Sequence, residues 1–153
     1  MHKYEARISW SRNGVAFTDN QYSRGHEWAF DGGIKIPASA SPQAVRAPFS
    51  VAEAIDPEEA LVAAASSCHM LSFLYLAAKQ GFIVESYIDE AFGLMDKNPQ
   101  GRLSITRITL RPEIQFSGEK RPSSSELETL HHAAHEDCYI ANSIKSEVVV
   151  EAG

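Results

Sequence analysis

The spacing of apolar and polar positions changes several times along the chain, and each change marks an element. Residues 3–31 alternate weakly and carry Tyr4, Trp10, Phe17, Tyr22, Trp28 and Phe30, which predicts a β-meander with Asn13-Gly14 as its hairpin signal. Asp31-Gly32-Gly33 closes the last of these strands. The Pro/Ser/Ala-rich stretch from Ile34 to Ile55, with Pro37, Pro42 and Pro48, predicts an irregular loop. Residues 57–80 then give the clearest helix. Asp56 suits the N-cap, Pro57 the first helical position, and Glu58 and Glu59 the positive end of the dipole, while Gly81 suits the stop.

That helix has no polar face in LVAAASSCHMLSFLYLAA. At 1.5 Å per residue it is ~36 Å long, and an all-round apolar helix must be buried along its length. One chain of 153 residues has little surface with which to wrap it, so burial in an oligomer interface is expected. Residues 82–96 and 103–116 read as two strands joined by a turn at Lys97–Gly101, with Pro112 marking an edge or a bulge. Ser123-x-x-Glu126 is a capping box opening a second helix, whose Leu127, Leu130, Ala134 and Cys138 share one face. A final strand covers roughly Ser143–Glu151. Strands, a long apolar helix, a hairpin, a second helix and a last strand read as a single α+β domain over residues 1–153.

Composition narrows the classes. Hydrophobic residues make up 44% and charged residues 22%, ordinary for a globular chain, and 14 − 20 leaves a net charge of −6. No basic cluster exceeds Lys120-Arg121, so neither nucleic acid nor an anionic membrane surface is an expected partner. No uninterrupted apolar run reaches the ~18 residues of a membrane span, and MHKYEARISW lacks the pattern of a secretory signal. A cytoplasmic location is therefore expected.

Two cysteines cannot make a disulfide framework, and their separation excludes a local CxxC motif. Spacing alone leaves two readings of Cys68 and Cys138: small buried hydrophobes, or a redox pair facing one seam between the helices. His131, His135 and Cys138 on one helix, with His69 as a fourth ligand, would suit zinc; solvated or capping histidines are the expected reading. The chain has no G-x-S-x-G elbow and no glycine-rich phosphate loop.

Asp56-Pro57-Glu58-Glu59 followed by Ala63-Ala64-Ala65-Ser66-Ser67-Cys68-His69-Met70 resembles the central helix of the OsmC/Ohr family of hydroperoxide reductases. The segment His135-Glu136-Asp137-Cys138-Tyr139-Ile140-Ala141-Asn142 resembles that family's resolving position, and the order of elements fits throughout. Tyr22-Ser23-Arg24 with Trp28-x-Phe30-Asp31-Gly32-Gly33 suggests a branch distinct from the family's best-studied members. The resemblance implies an α+β fold of antiparallel sheets packed around a long buried central helix, and a thiol peroxidase without metal, haem, flavin or other cofactor. Cys68 would be the peroxidatic residue, Cys138 the resolving one, and Glu58 the carboxylate holding an arginine, Arg24 ahead of Arg46, against the thiolate.

Its implied partners are an organic hydroperoxide and a dithiol reductant, of the lipoyl type for instance. An adjacent guanidinium favours the thiolate and stabilises the departing alkoxide. Glu58 and Cys68 are ten residues apart, ~15 Å along a helix and ~80° around it. An antiparallel helix of a second copy would bring the partner's Glu58 near Cys68, so an intertwined homodimer is expected. Met70, Leu71, Phe73, Leu74 and Phe49 offer an apolar lining that would prefer alkyl hydroperoxides to hydrogen peroxide. The alternative from another class is a non-catalytic module of the same fold, binding a small apolar ligand or a partner in the dimer groove.

Overall fold

A computed structural model describes residues 1–151, which group into two compact units, Met1–Ala60 and Leu61 onward. The first holds an antiparallel sheet of β1 (Ala6–Ser9), β2 (His26–Phe30) and β3 (Lys35–Ala38), with β2 in the middle. Trp28 lies opposite both Ile8 and Ile36, so the alternating apolar positions stack across the sheet. Asn13 and Gly14 do turn the chain, with φ of 50° and 80° and a 3.1 Å bond from the Val15 N–H to the Arg12 carbonyl. That turn lies inside a long connection, however, and does not join two strands. There Trp10, Phe17 and Tyr22 pack on one another, with Phe17 and Tyr22 stacked at 4.7 Å and Trp10 edge-on to Tyr22 at 5.4 Å. Aromatics that suggest strands in the sequence are pinning a loop.

The end of the meander also differs from expectation. Asp31-Gly32-Gly33 forms the turn between β2 and β3, and Lys35–Ala38 is a strand where the sequence predicts an irregular loop. Pro37 is tolerated because β3 is an edge strand whose outer side needs no ladder donor at that position.

Helix α1 (Pro57–Lys79) opens in the first unit and continues through the second. Asp56 caps it by accepting the Glu59 N–H at 2.8 Å, and Gly81, at φ 85°, ends it in the left-handed region where a side chain would be strained. Ala65, His69, Phe73 and Ala77 form its buried stripe, at a spacing of four. The expectation of burial all round is not met within one chain, since Leu71 is 60% exposed and Tyr75 66%. By length and composition alone this helix is apolar enough to cross a membrane, although no uninterrupted apolar run reaches that length, and a helix packed in a protein core passes the same test. A count of uninterrupted apolar residues is too strict a criterion, because serines and one histidine barely lower the hydropathy of such a helix.

The two long strands expected after α1 each break near the middle. Residues 82–96 become β4 (Ile83–Asp89) and β5 (Phe92–Lys97), and residues 103–116 become β6 (Leu103–Leu110) and β7 (Pro112–Ser117). β4 pairs with β7 and β5 with β6, both antiparallel, so one bent hairpin serves two sheets. Pro112 sits just after the bend, as the first residue of β7. Asp89 fixes the bend by accepting the Arg111 N–H at 2.6 Å. The last strand, β8 (Glu147–Val150), is shorter than expected and runs parallel to β6.

Helix α2 (Ser124–Asp137) begins with both bonds of the predicted capping box and ends at Cys138. Two buried clusters result. Phe73, Ala77, Phe82, Leu130 and Ala134 fill the space between α1, α2 and the β4–β7 pair. Ala65, Ile108, Leu110 and Val148 join α1 to the β5–β6–β8 sheet. Gly93 lets these layers approach, because a Cβ there would meet Val62 Cγ2 at 2.9 Å and Ile105 Cγ2 at 3.0 Å. Gly93→Ala is expected to destabilise the protein by about 1–3 kcal/mol through overpacking, read as a lower midpoint in urea at unchanged m-value. A midpoint equal to the native one would show that the layers can part at no cost.

Candidate active site

Cys68 sits halfway along α1, and Cys138 is the residue that caps α2 at its C-terminus. Packing of the two helices brings the thiols close enough for Cys68 to act on the ionisation of Cys138, and both are unbridged. Their surroundings differ. Cys68 is half-buried, whereas Cys138 is 1% exposed and its Sγ accepts the Ala141 N–H at 3.4 Å. Burial raises the pKa of Cys138, the Ala141 N–H partly opposes this, and the hydrogen bond and charge of Cys68 raise it further. The inner thiol therefore holds its proton while the outer one faces the surroundings. A nucleophile that meets substrate and a second thiol held in reserve need this asymmetry.

The carboxylate and arginine of the expected site lie in the first unit. Glu58 is half-buried, and its Oε2 has no hydrogen-bond partner. Arg24 is not brought to it: its guanidinium donates to the Asn20 carbonyl at 3.1 Å, to Asn20 Oδ1 at 2.8 Å and to the Tyr22 carbonyl. It also lies over the Tyr22 ring, 3.7 Å from the centroid. Arg46 lies 5.0 Å from the centroid of Phe49. Among the described residues neither arginine forms an ion pair with Glu58. Of the apolar lining expected around Cys68, Phe73 is instead wholly buried in the core and Leu71 is exposed.

The histidines are arranged unlike the expectation of solvated or capping side chains. His69 is 0% exposed and His131 6%. His69 Nε2 and His131 Nδ1 share a hydrogen bond of 3.0 Å with their rings nearly parallel, 11° apart, and His131 stacks on Phe73 at 4.5 Å. Burial, and then the neighbouring His131 and His135, push the pKa of His69 down to about 4, against an opposing pull from Asp89. Burial lowers His131 in the same way. Of the three histidines on α2, His132 alone is exposed, paired with Glu136 at 3.4 Å. His131, His132 and His135 border a cavity of about 480 Å³ beside Val148 and Val150. Among the described residues no three His, Cys, Asp or Glu side chains converge as a metal site, since His131 turns its Nδ1 to His69.

Sequence reasoning misses this pair and the Ser66–Asp89 bond, in which the hydroxyl donates at 2.5 Å. A signal for His69 exists, because it shares the spacing of four with Ala65, Phe73 and Ala77. Nothing local in the sequence points to Asp89, which acts at a bend between strands.

The family described as OsmC-like protein matches the chain over residues 50–153. Among solved structures, an OsmC-like protein of unknown function from Vibrio cholerae is 55% identical, with a TM-score of 0.98 over 100% of both chains. An OsmC-like protein from Mycoplasma pneumoniae aligns at a TM-score of 0.73 and 16% identity, over 99% of this chain and 96% of that one. The organic hydroperoxide resistance protein OhrB of Bacillus subtilis aligns at 0.71 and 17% identity, over 99% of this chain and 98% of that one. No curated protein matches the chain.

The neutral histidine core makes stability depend on pH. Between its ordinary value of 6.5 and about 4, His69 takes up a proton in the unfolded chain that the fold refuses. Stability is thus complete above pH 6.5 and is lost as pH falls towards 4, by at most roughly 3 kcal/mol from this group. Urea midpoints measured from pH 7.5 to 4 should fall over that window, and His69→Gln should flatten the fall. An equal fall in that variant would assign the effect to other groups.

Proposed function

Because the chain belongs to the OsmC-like protein family, we propose that it reduces organic hydroperoxides to alcohols with Cys68 and Cys138 as its redox pair. The observation that carries this reading is the pairing of the two thiols across the helix seam, one accessible and one buried with its proton held. In the proposed cycle the Cys68 thiolate attacks the terminal peroxide oxygen and the O–O bond breaks. The departing alkoxide takes a proton and leaves as alcohol, and Cys68 becomes a sulfenic acid. Cys138 then attacks that sulfur, an S–S bond forms, and the hydroxyl leaves with a proton as water. An external dithiol reopens the disulfide by exchange, becoming a disulfide itself and returning both thiols.

Glu58 enters as the holder of an arginine. Its buried oxygen without a partner is an acceptor that a guanidinium fork would fill. Arg24 would have to release its bonds to Asn20 and Tyr22 to serve, and Arg46 is the alternative. The enzyme is further proposed to be a cytoplasmic homodimer whose second copy covers the exposed Leu71 and Tyr75. Leu71→Glu should then shift the native dimer towards monomer in analytical ultracentrifugation, and a native protein that sediments as a monomer would remove the dimer from the proposal.

One equivalent of cumene hydroperoxide should remove both free thiols of the native protein and give a Cys68–Cys138 peptide link in the mass spectrum. Cys68→Ser should lose turnover altogether. Cys138→Ser should consume about one equivalent and then stall as a sulfenic or more oxidised cysteine. Normal turnover by Cys68→Ser, or two untouched thiols in folded native protein, would refute the peroxidase reading.

A further inference from the structure

The seam that brings the thiols together is apolar except at one place. From Cys68 to Ala77 along α1, the partners on α2 run in the opposite sense, from Cys138 through His131 to Leu130 and Leu127. Phe73, Ala77, Leu130 and Ala134 contribute apolar contact, which has no direction and tolerates sliding or rotation of one helix on the other. The His69–His131 hydrogen bond is different, because it forms only when two ring nitrogens meet at 3.0 Å with one proton between them.

This contact is a poor choice for stability. Whichever nitrogen carries the shared proton, the far nitrogen of His69, Nδ1, is buried with no partner. If His69 donates, Nδ1 is a lone pair without a donor; if His131 donates, Nδ1 is an N–H without an acceptor. The groups facing the pair are His135 from α2 and Asp89 from β4, and neither supplies the missing bond. A leucine or phenylalanine at position 69 would avoid that cost, so the pair must be worth something other than folding free energy. A buried polar pair in a helix seam has one well-attested use, which is to select a single register.

We propose that the His69–His131 bond is a positioning clamp that fixes the register of α1 against α2 and so holds Cys68 and Cys138 at the separation needed for disulfide closure. Neither histidine touches the reacting sulfurs in this scheme; both act through the helices that carry them. The clamp rests on the reading of the two cysteines as a redox pair. It governs the closing step and leaves the first reaction of Cys68 with an oxidant unaffected.

The test uses glutathione, so that its result does not depend on peroxidase activity. Reduced protein and glutathione disulfide exchange to protein disulfide and two glutathione thiols, and the equilibrium position gives the effective concentration of one protein thiol towards the other. The paired replacement His69→Leu with His131→Phe, which removes the bond and leaves no orphan, should fold with unchanged or higher stability. Its effective thiol concentration should fall tenfold or more, equivalent to about 30 mV in the two-electron couple. His69→Gln, whose amide can still bond to His131, should stay within about threefold of the native value. A folded paired variant that closes its disulfide as readily as the native protein overturns the clamp.

A second measurement needs no variant. By linkage, a bond that raises the effective thiol concentration tenfold must be strengthened tenfold by the closed disulfide. Exchange of the shared imidazole proton, followed by NMR, should therefore be about tenfold slower in oxidised than in reduced native protein, and equal rates overturn the proposal. If glutathione closes the disulfide and the clamp behaves as expected while cumene hydroperoxide leaves both thiols untouched, the peroxidase reading fails and the clamp stands.

Discussion

The buried seam between α1 and α2 is the constraint on which the rest of the second unit depends. Each of the two cysteines is ordinary on its own helix, and the seam is what brings them together. The seam is held by Phe73, Ala77, Leu130 and Ala134, a set whose contact area supplies cohesion without direction. Direction comes from polar contacts. The His69–His131 bond lies inside the seam, and the Ser66 hydroxyl meets Asp89 at the bend of the long hairpin. The same Asp89 carboxylate receives the Arg111 N–H, so one side chain ties α1 to the point where four strand segments change partners. A helix that is apolar nearly all round needs such fixed points, because apolar packing alone would accept several rotations about its axis.

The same arrangement sets the electrostatics of the thiols. Cys138 is placed where burial and its neighbour both favour the protonated form, while Cys68 retains access to the surroundings. The two thiols thus differ in burial. The asymmetry arises from position along the helices. Cys138 stands at the C-terminal end of α2, where the chain turns under it into the short 3₁₀ segment Ala141–Ser143 and supplies an N–H to its sulfur. Cys68 stands mid-helix, with no such cover.

Much of this architecture is legible in the amino-acid sequence. The caps of both helices, the stop at Gly81, the capping box at Ser123 and the placement of Cys138 on an inward stripe follow from local chemistry, and local chemistry is what a sequence displays directly. The departures share a cause as well. Pro37 in β3, the bends at residues 90 and 111, and the aromatics of the first connection escape a local reading because each depends on a partner strand or ring that is distant in the chain. The histidines of α2 escape it for the same reason. His131 and His132 are adjacent in sequence, yet a rotation of 100° puts one in the core and the other in an exposed pair with Glu136.

The order of residues is thus enough to set the elements and most of their ends, since these rest on interactions within a few residues. The OsmC-like family is visible there too, because its motif is contiguous along one helix. That Cys68 and Cys138 meet, that Cys138 is the shielded member, and that His69 and His131 bond across the seam emerge only when α1 packs on α2. Those facts require the relative rotation and register of two helices. Periodicity fixes which face of a helix is apolar, but not which residue of another helix lies against it.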